Sequence, residues 1–158
     1  MRAPLLYMLL FLLAISCSPA EPCEEDSISE VVAVFKTETG GEVKDTTISK
    51  LWVYGVRDNQ AIWYPLDSVT SSGILLPLDP NNDHSSFVFA TKGFSDTLTL
   101  THSSEDYLIS FSCGFGKLFT LDPNPADYKG GMIKKDTLIN PLVSSTLEED
   151  ETHIWLYF

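Results

Sequence analysis

Basic residues are scarce in this chain of 158 residues: 10 Lys and Arg stand against 22 Asp and Glu, a net charge of −12. A surface so acidic repels phosphate backbones, which argues against nucleic acid as a partner. Cysteine is scarcer still, at 3, and no two of them form a C-x-x-C pair. The 3 histidines (His84, His102 and His153) show no H-x-H or H-E-x-x-H spacing, so no zinc or cofactor site is expected. No G-x-S-x-G elbow supports a hydrolase. Sequence spacing does not exclude a Ser-His-Asp triad assembled in space. No apolar run reaches the roughly 20 residues needed to span a bilayer. No window gives a helix of ten or more residues, and no repeat of solenoid or propeller length is present.

Short extended segments separated by turn residues are abundant instead. From Ile74 to Phe115, apolar residues recur at every second position: Phe87 and Phe89, then Leu98 and Leu100, then Tyr107, Ile109, Phe111 and Cys113. That period suits strands with one buried and one wet face. In Asp96 to Thr101 the threonines share the face opposite the leucines, where a β-branched side chain sits comfortably. Asp79-Pro80-Asn81-Asn82-Asp83, Lys92-Gly93 and Ser103-Ser104-Glu105-Asp106 read as turns between them.

Elsewhere Glu30–Glu38 reads as a first strand, with a turn at Gly40-Gly41. Ile48–Arg57 and Ala61–Leu66 read as a hairpin. Lys117–Leu121 is a further extended piece, Asp122–Gly131 a loop, and Asp136–Val143 with His153–Phe158 a closing hairpin. The predicted fold is all-β: an antiparallel β-sandwich, immunoglobulin-like or similar, of about 7–9 short strands.

The amino terminus reads differently. Arg2 precedes an apolar run of 11 residues from Leu5 to Ile15, the length of a signal-peptide core. The following Leu13-Ala14-Ile15-Ser16-Cys17 resembles the lipobox of bacterial lipoproteins. The resemblance implies cleavage before Cys17, a diacylglycerol thioether on its sulfur and acylation of the new amine, palmitate being one such chain. Two or more chains anchor stably where one binds only marginally. An ordinary secretory signal with a chance cysteine is the plainer alternative. Removing 16 of the 158 residues leaves 142, with 9 basic side chains against 22 acidic ones. That is one domain by size. The expected division is a signal peptide over 1–16, a lipidated tether over 17–27 and a single β-sandwich domain over 28–158.

With lipid on Cys17, Cys23 and Cys113 remain, and an exported protein with two spare cysteines is expected to pair them. A metal or nucleophilic pair is the competing reading, with no neighbouring histidine in sequence to support it.

Several short motifs occur in order: the lipobox, Leu76-Pro77-Leu78, the Asp96-x-Leu98-x-Leu100 strand, Ser110-x-Ser112-Cys113-Gly114 and His153-Ile154-x-Leu156-x-Phe158. Together they resemble a family of small Bacteroidota lipoproteins that carries a domain of unknown function. The resemblance implies an exported, β-rich lipoprotein and leaves the function open; the expected location is the cell envelope, lipid-anchored at the periplasmic or surface face of the outer membrane. Four Asp-Ser/Thr-aliphatic triplets, with acceptors at Ser27, Ser68, Thr97 and Thr137, are similar to the O-glycosylation pattern of exported proteins in that phylum. Asp followed by Ser or Thr is also natural where a turn enters a strand.

Two further groups invite a functional reading. Asp79, Asn81 and Asp83 place oxygens at alternate positions as a calcium loop would, yet His84 and Ala90 stand where an EF-hand needs Gly and Glu. A hairpin turn is the simpler account. Trp52, Tyr54 and Trp63 would form an aromatic platform for a sugar ring, or would be ordinary strand packing. The function expected is a non-catalytic envelope lipoprotein, held to the membrane by its lipid anchor and binding an envelope protein or glycan. The alternative is a calcium-dependent carbohydrate binder or small hydrolase.

Overall fold

A computed structural model describes residues 29–58, 60–111, 113–144 and 151–158, with the side chains of residues 63–66 not described. The expected leader, tether and lipid attachment at Cys17 lie outside the described residues, as do Cys23 and Ser27.

Eleven strands follow in chain order, and no helix occurs among the described residues: β1 (Glu30–Thr39), β2 (Glu42–Asp45), β3 (Ile48–Arg57), β4 (Gln60–Ser71), β5 (Gly73–Pro77), β6 (His84–Thr91), β7 (Phe94–Ser110), β8 (Gly114–Lys129), β9 (Lys135–Leu138), β10 (Leu142–Val143) and β11 (Ile154–Tyr157). They form two sheets. In the first, β1 pairs with β11 on one side, and β2 and β5 share its other side, with β9 beyond β11. The second runs β10-β8-β7-β6-β3-β4. All pairings are antiparallel except β1–β11, which is parallel. The all-β sandwich-like fold expected from the alternating pattern is therefore present, with more strands, two of them much longer, and one parallel pair.

The core lies between the sheets. Val31, Ala33 and Phe35 of β1 and Ile154 and Leu156 of β11 are fully buried. They pack in one cluster with Leu51, Val53, Phe87, Phe89, Leu98, Leu100, Phe119 and Leu121 of the other sheet. Phe35 meets Phe89 edge-on across the interface at 6.3 Å, and Phe158 closes the triad at 5.1 Å from Phe35. Such edge-to-face pairs add to the area they bury. The chain changes sheet at Ser72-Gly73, where Phe35 N–H donates to the Ser72 carbonyl at 2.8 Å. A β-carbon at Gly73 would lie 2.7 Å from the Ala33 carbonyl oxygen, so only glycine fits that corner.

Three expectations need correction. Ser103–Asp106 is not a turn but the middle of β7, paired with Lys117–Thr120 of β8. Ladder hydrogen bonds satisfy its backbone while its exposed side chains stay in water, so the polar composition is no obstacle. Asp122–Gly131 is mostly strand. Its two prolines fall where the β7–β8 register jumps from Leu100↔Ala126 to His102↔Leu121, a bulge in which no ladder donor is required. Asp136–Val143 is two strands: β9 does pair antiparallel with β11 as the closing hairpin requires, but β10 pairs with β8 in the other sheet. The wholly exposed β2 has no buried alternation to betray it.

Candidate functional site

The inward phase of two adjacent strands is not uniformly apolar. Along β7 it reads Asp96, Leu98, Leu100, His102, and along β6 it reads Ser85, Phe87, Phe89, all buried. A buried polar group needs a partner, and each of these three has one. Asp96 Oδ2 accepts hydrogen bonds from Met132 N–H and Ile133 N–H, both at 2.9 Å, and so fixes the segment after β8. Gly130 makes room for this: a β-carbon there would lie 2.1 Å from the Ser95 carbonyl oxygen.

Ser85 and His102 form the second polar group. Ser85 Oγ lies 2.9 Å from His102 Nε2 and accepts a hydrogen bond from Asp79 N–H at 2.8 Å. His102 N–H donates to the Asp83 carbonyl at 2.9 Å. The pair thereby bolts the Asp79–Asp83 turn to the two strands. The turn itself is closed by Asp79, whose Oδ1 accepts from Asn81 N–H at 3.0 Å. Its Oδ2 accepts from the Asn82 side chain at 2.8 Å and from Arg57. Partial burial works to raise the Asp79 pKa, but these hydrogen bonds and the Arg57 charge outweigh it and hold the carboxyl below its ordinary value. His84 Nδ1, 2.7 Å from Asp83 Oδ1, lowers the Asp83 pKa in the same way.

Above this bolt opens a cleft of about 610 Å³. Glu30, Arg57, Asp79 and His84 supply charged or polar walls, and Ile62 and Phe87 supply apolar surface. Ile62 is more than half exposed. A cleft of this size and mixed lining suits a small organic or sugar-sized ligand. Ser85 contributes to its wall, but Ser85 is 6% exposed and His102 2%. A triad would further require a carboxylate on His102 Nδ1, and that atom has no hydrogen-bond partner among the described residues. Burial holds the His102 pKa below its ordinary value, against the pull of the Asp79, Asp83 and Asp122 charges.

The residues singled out from the sequence are scattered over this frame. Asp79 borders the cleft, with its carboxylate engaged by Arg57; Asn81 and Asp83 are exposed on the turn. Among the described residues no three His, Cys, Asp or Glu side chains gather as a metal-binding group. Trp52 and Tyr54 are half-buried on the face of β3 opposite Leu51 and Val53, beside Ala90 and Val88 of β6. The Trp63 side chain lies outside those described. Trp155 is covered by Lys36 Nζ at 4.6 Å from the ring centre, and Lys135 Nζ stands 4.3 Å over Tyr157. Cation–π contacts of this kind account for those two rings without a ligand. Ser68 and Thr137 are exposed, on β4 and β9, strands that end their sheets, whereas Thr97 is half-buried on β7. Cys113 lies half-buried in the turn between β7 and β8. Arg57, Ile62, Ser85 and His102 were not grouped by sequence spacing; the legible signal was a serine and a histidine on the inward phase of otherwise apolar strands.

The third histidine, His153, is fully buried at the start of the last strand. Its Nδ1 accepts from Val32 N–H at 2.9 Å, and its own N–H donates to the Val32 carbonyl at 3.0 Å. The imidazole thus extends the β1–β11 pairing by one backbone-like contact. Leu76, Leu78, Asp96, His153 and Leu156 therefore all serve the core or its hydrogen bonds.

No curated protein and no solved structure matches this chain. A family model does, over residues 50–158. That span takes in all but the first two residues of the β3–β4 hairpin, the Asp79–Asp83 turn, the Ser85–His102 pair, Asp96 and His153. By that match, the chain belongs to the family of unknown function DUF6452.

Proposed function

We propose that the protein is a non-catalytic lipoprotein of the cell envelope, in which the β-sandwich is a binding or assembly module. In this reading a signal peptide is removed before Cys17, acyl chains on Cys17 hold the protein to the outer membrane, and the source is one of the Bacteroidota. The observation that carries the binding role is the cleft of about 610 Å³, whose mixed polar and apolar walls stand over a Ser85–His102 pair already occupied in bracing the turn. Its ligand is a segment of an envelope protein or a glycan. The same reading pairs Cys23 with Cys113. Closing a loop of about 90 residues contributes on the order of 4–5 kcal/mol in the chain-entropy treatment. Ser68 and Thr137 are the triplet acceptors best placed for O-glycosylation, being exposed on edge strands.

Two measurements test this. Mass spectrometry of the native amino-terminal peptide is expected to find Cys17 as its first residue, carrying acyl chains. Amide chemical shifts of the leaderless Cys17→Ser protein, titrated with peptidoglycan fragments and envelope oligosaccharides, are expected to move around Arg57, Ile62 and His84. Shifts confined to other surfaces would remove the cleft from the proposal.

The rival is a calcium-dependent carbohydrate binder or small hydrolase, favoured by the 2.9 Å Ser85–His102 contact and by Asp79 at the cleft. Calcium would have to displace Arg57 from Asp79. A ligand that binds only the native protein raises its melting midpoint, so a calcium-dependent rise would favour the rival.

A further inference from the structure

Past Phe119 and Thr120, the last β8 residues that β10 pairs with, the β7–β8 hairpin continues as a two-stranded arm in which Glu105 and Asp106 are exposed. At its end Phe111 is fully exposed at 101%, Phe115 is 71% exposed and Leu108 is 48% exposed. Leu108 and Phe115 face each other in the ladder, so the three side chains make one apolar tip. A core residue in this protein is seldom more than a few per cent exposed, and a fully bare phenylalanine at a hairpin end contributes nothing to the fold.

The charge distribution singles out the same place. Residues 107–116 contain no charged side chain, in a chain with 22 acidic residues. Below the tip, Asp106 and Lys117 are bridged at 2.8 Å, so the first charges on the arm already neutralise one another. An uncharged aromatic end above a paired collar suits the interface of a bilayer, where aromatic rings settle at headgroup level.

The tether supplies the occupant. Cys113 stands at this tip and holds no free thiol, and the only other cysteines in the chain are Cys17 and Cys23. With Cys17 lipidated, the cystine joins the tip to Cys23. Cys23 stands six positions after Cys17, so the tip then lies within about 20 Å of chain from the acylated residue.

We propose that the tip formed by Leu108, Phe111 and Phe115 inserts into the lipid surface to which the protein is anchored, as a second, non-covalent membrane contact. It fixes the orientation of the sandwich, holding the arm against the bilayer. The proposal rests on the lipid-anchor reading above, and its test is built to fail separately from that reading.

The leaderless protein with its disulfide intact, Cys17 replaced by a hexahistidine tag, is attached to phosphatidylethanolamine–phosphatidylglycerol vesicles containing a nickel-chelating lipid. This synthetic tether works whether or not Cys17 is acylated in the cell; acylation is read independently by the mass spectrum of the native peptide. Phe111→Trp is compared with Ile62→Trp, an exposed reference position on the cleft, each after subtraction of the parent emission. Attachment is expected to shift the Phe111→Trp emission to the blue. Brominated lipid is expected to quench it at least threefold more than the reference. Equal quenching at the two positions would overturn the proposal. So would a blue shift that needs no vesicles and grows with protein concentration, because it would assign the tip to a second copy. As a second variant, Phe111→Ser with Phe115→Ser is expected to leave the vesicles at least tenfold faster than the parent once imidazole releases the tag. Unchanged release would equally count against insertion.

Discussion

His153 Nδ1 and Val32 N–H, 121 positions apart in the chain, meet at 2.9 Å in the buried seam between the last strand and the first. The contact fixes the proton of the neutral ring on Nε2, since Nδ1 is the acceptor. Nε2 lies 3.3 Å from Glu151 Oε1, close enough for attraction but without the alignment of a hydrogen bond. Charging the ring would turn Nδ1 into a donor pointing at a donor. Burial, the main cause, holds the His153 pKa below its ordinary value despite Glu151.

A pH dependence follows. His153 and His102 both have folded-state pKa values lowered by burial, so below about pH 6.5 the unfolded chain takes up protons that the folded one refuses. The stability they contribute is complete above that pH and is lost as pH falls towards their folded values. Each refused proton steepens the loss by at most about 1.4 kcal/mol per pH unit. Denaturant midpoints measured from pH 7.5 to 5 are expected to fall, and less steeply in His153→Gln than in the parent protein.

Asp96→Ala is expected to cost about 3–5 kcal/mol, because it strands Met132 N–H and Ile133 N–H in a partly or wholly buried setting. Asp96→Asn keeps an acceptor oxygen and is expected to cost less than half as much. Equal losses in urea unfolding would show that the charge, rather than the two hydrogen bonds, is what matters.

Gly73→Ala drives a methyl group to 2.7 Å from the Ala33 carbonyl oxygen, which is backbone and has little room to move. A loss of about 2–3 kcal/mol is expected, the scale of an overpacked site. At Gly41, where nothing stands within 4 Å but φ is +83°, alanine is expected to cost only the backbone strain of about 1–2 kcal/mol. Melting of the two variants side by side separates crowding from conformation.

Ser85→Ala removes the acceptor of Asp79 N–H and the partner of His102 Nε2. A structural bolt predicts destabilisation of about 1–3 kcal/mol and increased hydrogen exchange at Asp79–Asp83. Loss of an ester-hydrolysing activity in the same variant, with its melting midpoint unchanged, would instead identify Ser85 as a nucleophile.

Side-chain alternation alone marks this chain as a β protein and shows where most of its strands begin. Inward and outward positions alternate along a strand whatever it pairs with, so Phe87, Phe89, Leu98 and Leu100 announce their buried face locally. The same periodicity shows Asp96, Ser85 and His102 on the buried phase, but not what they meet there. It took the assembled sheets to set β1 parallel to β11, to send β10 from β9 to the other sheet, and to bring Arg57 onto the Asp79 carboxylate. Those contacts join residues from 22 to 121 positions apart. Hydrogen bonds and close packing over such distances depend on how both sheets come together, which no local pattern of side chains encodes.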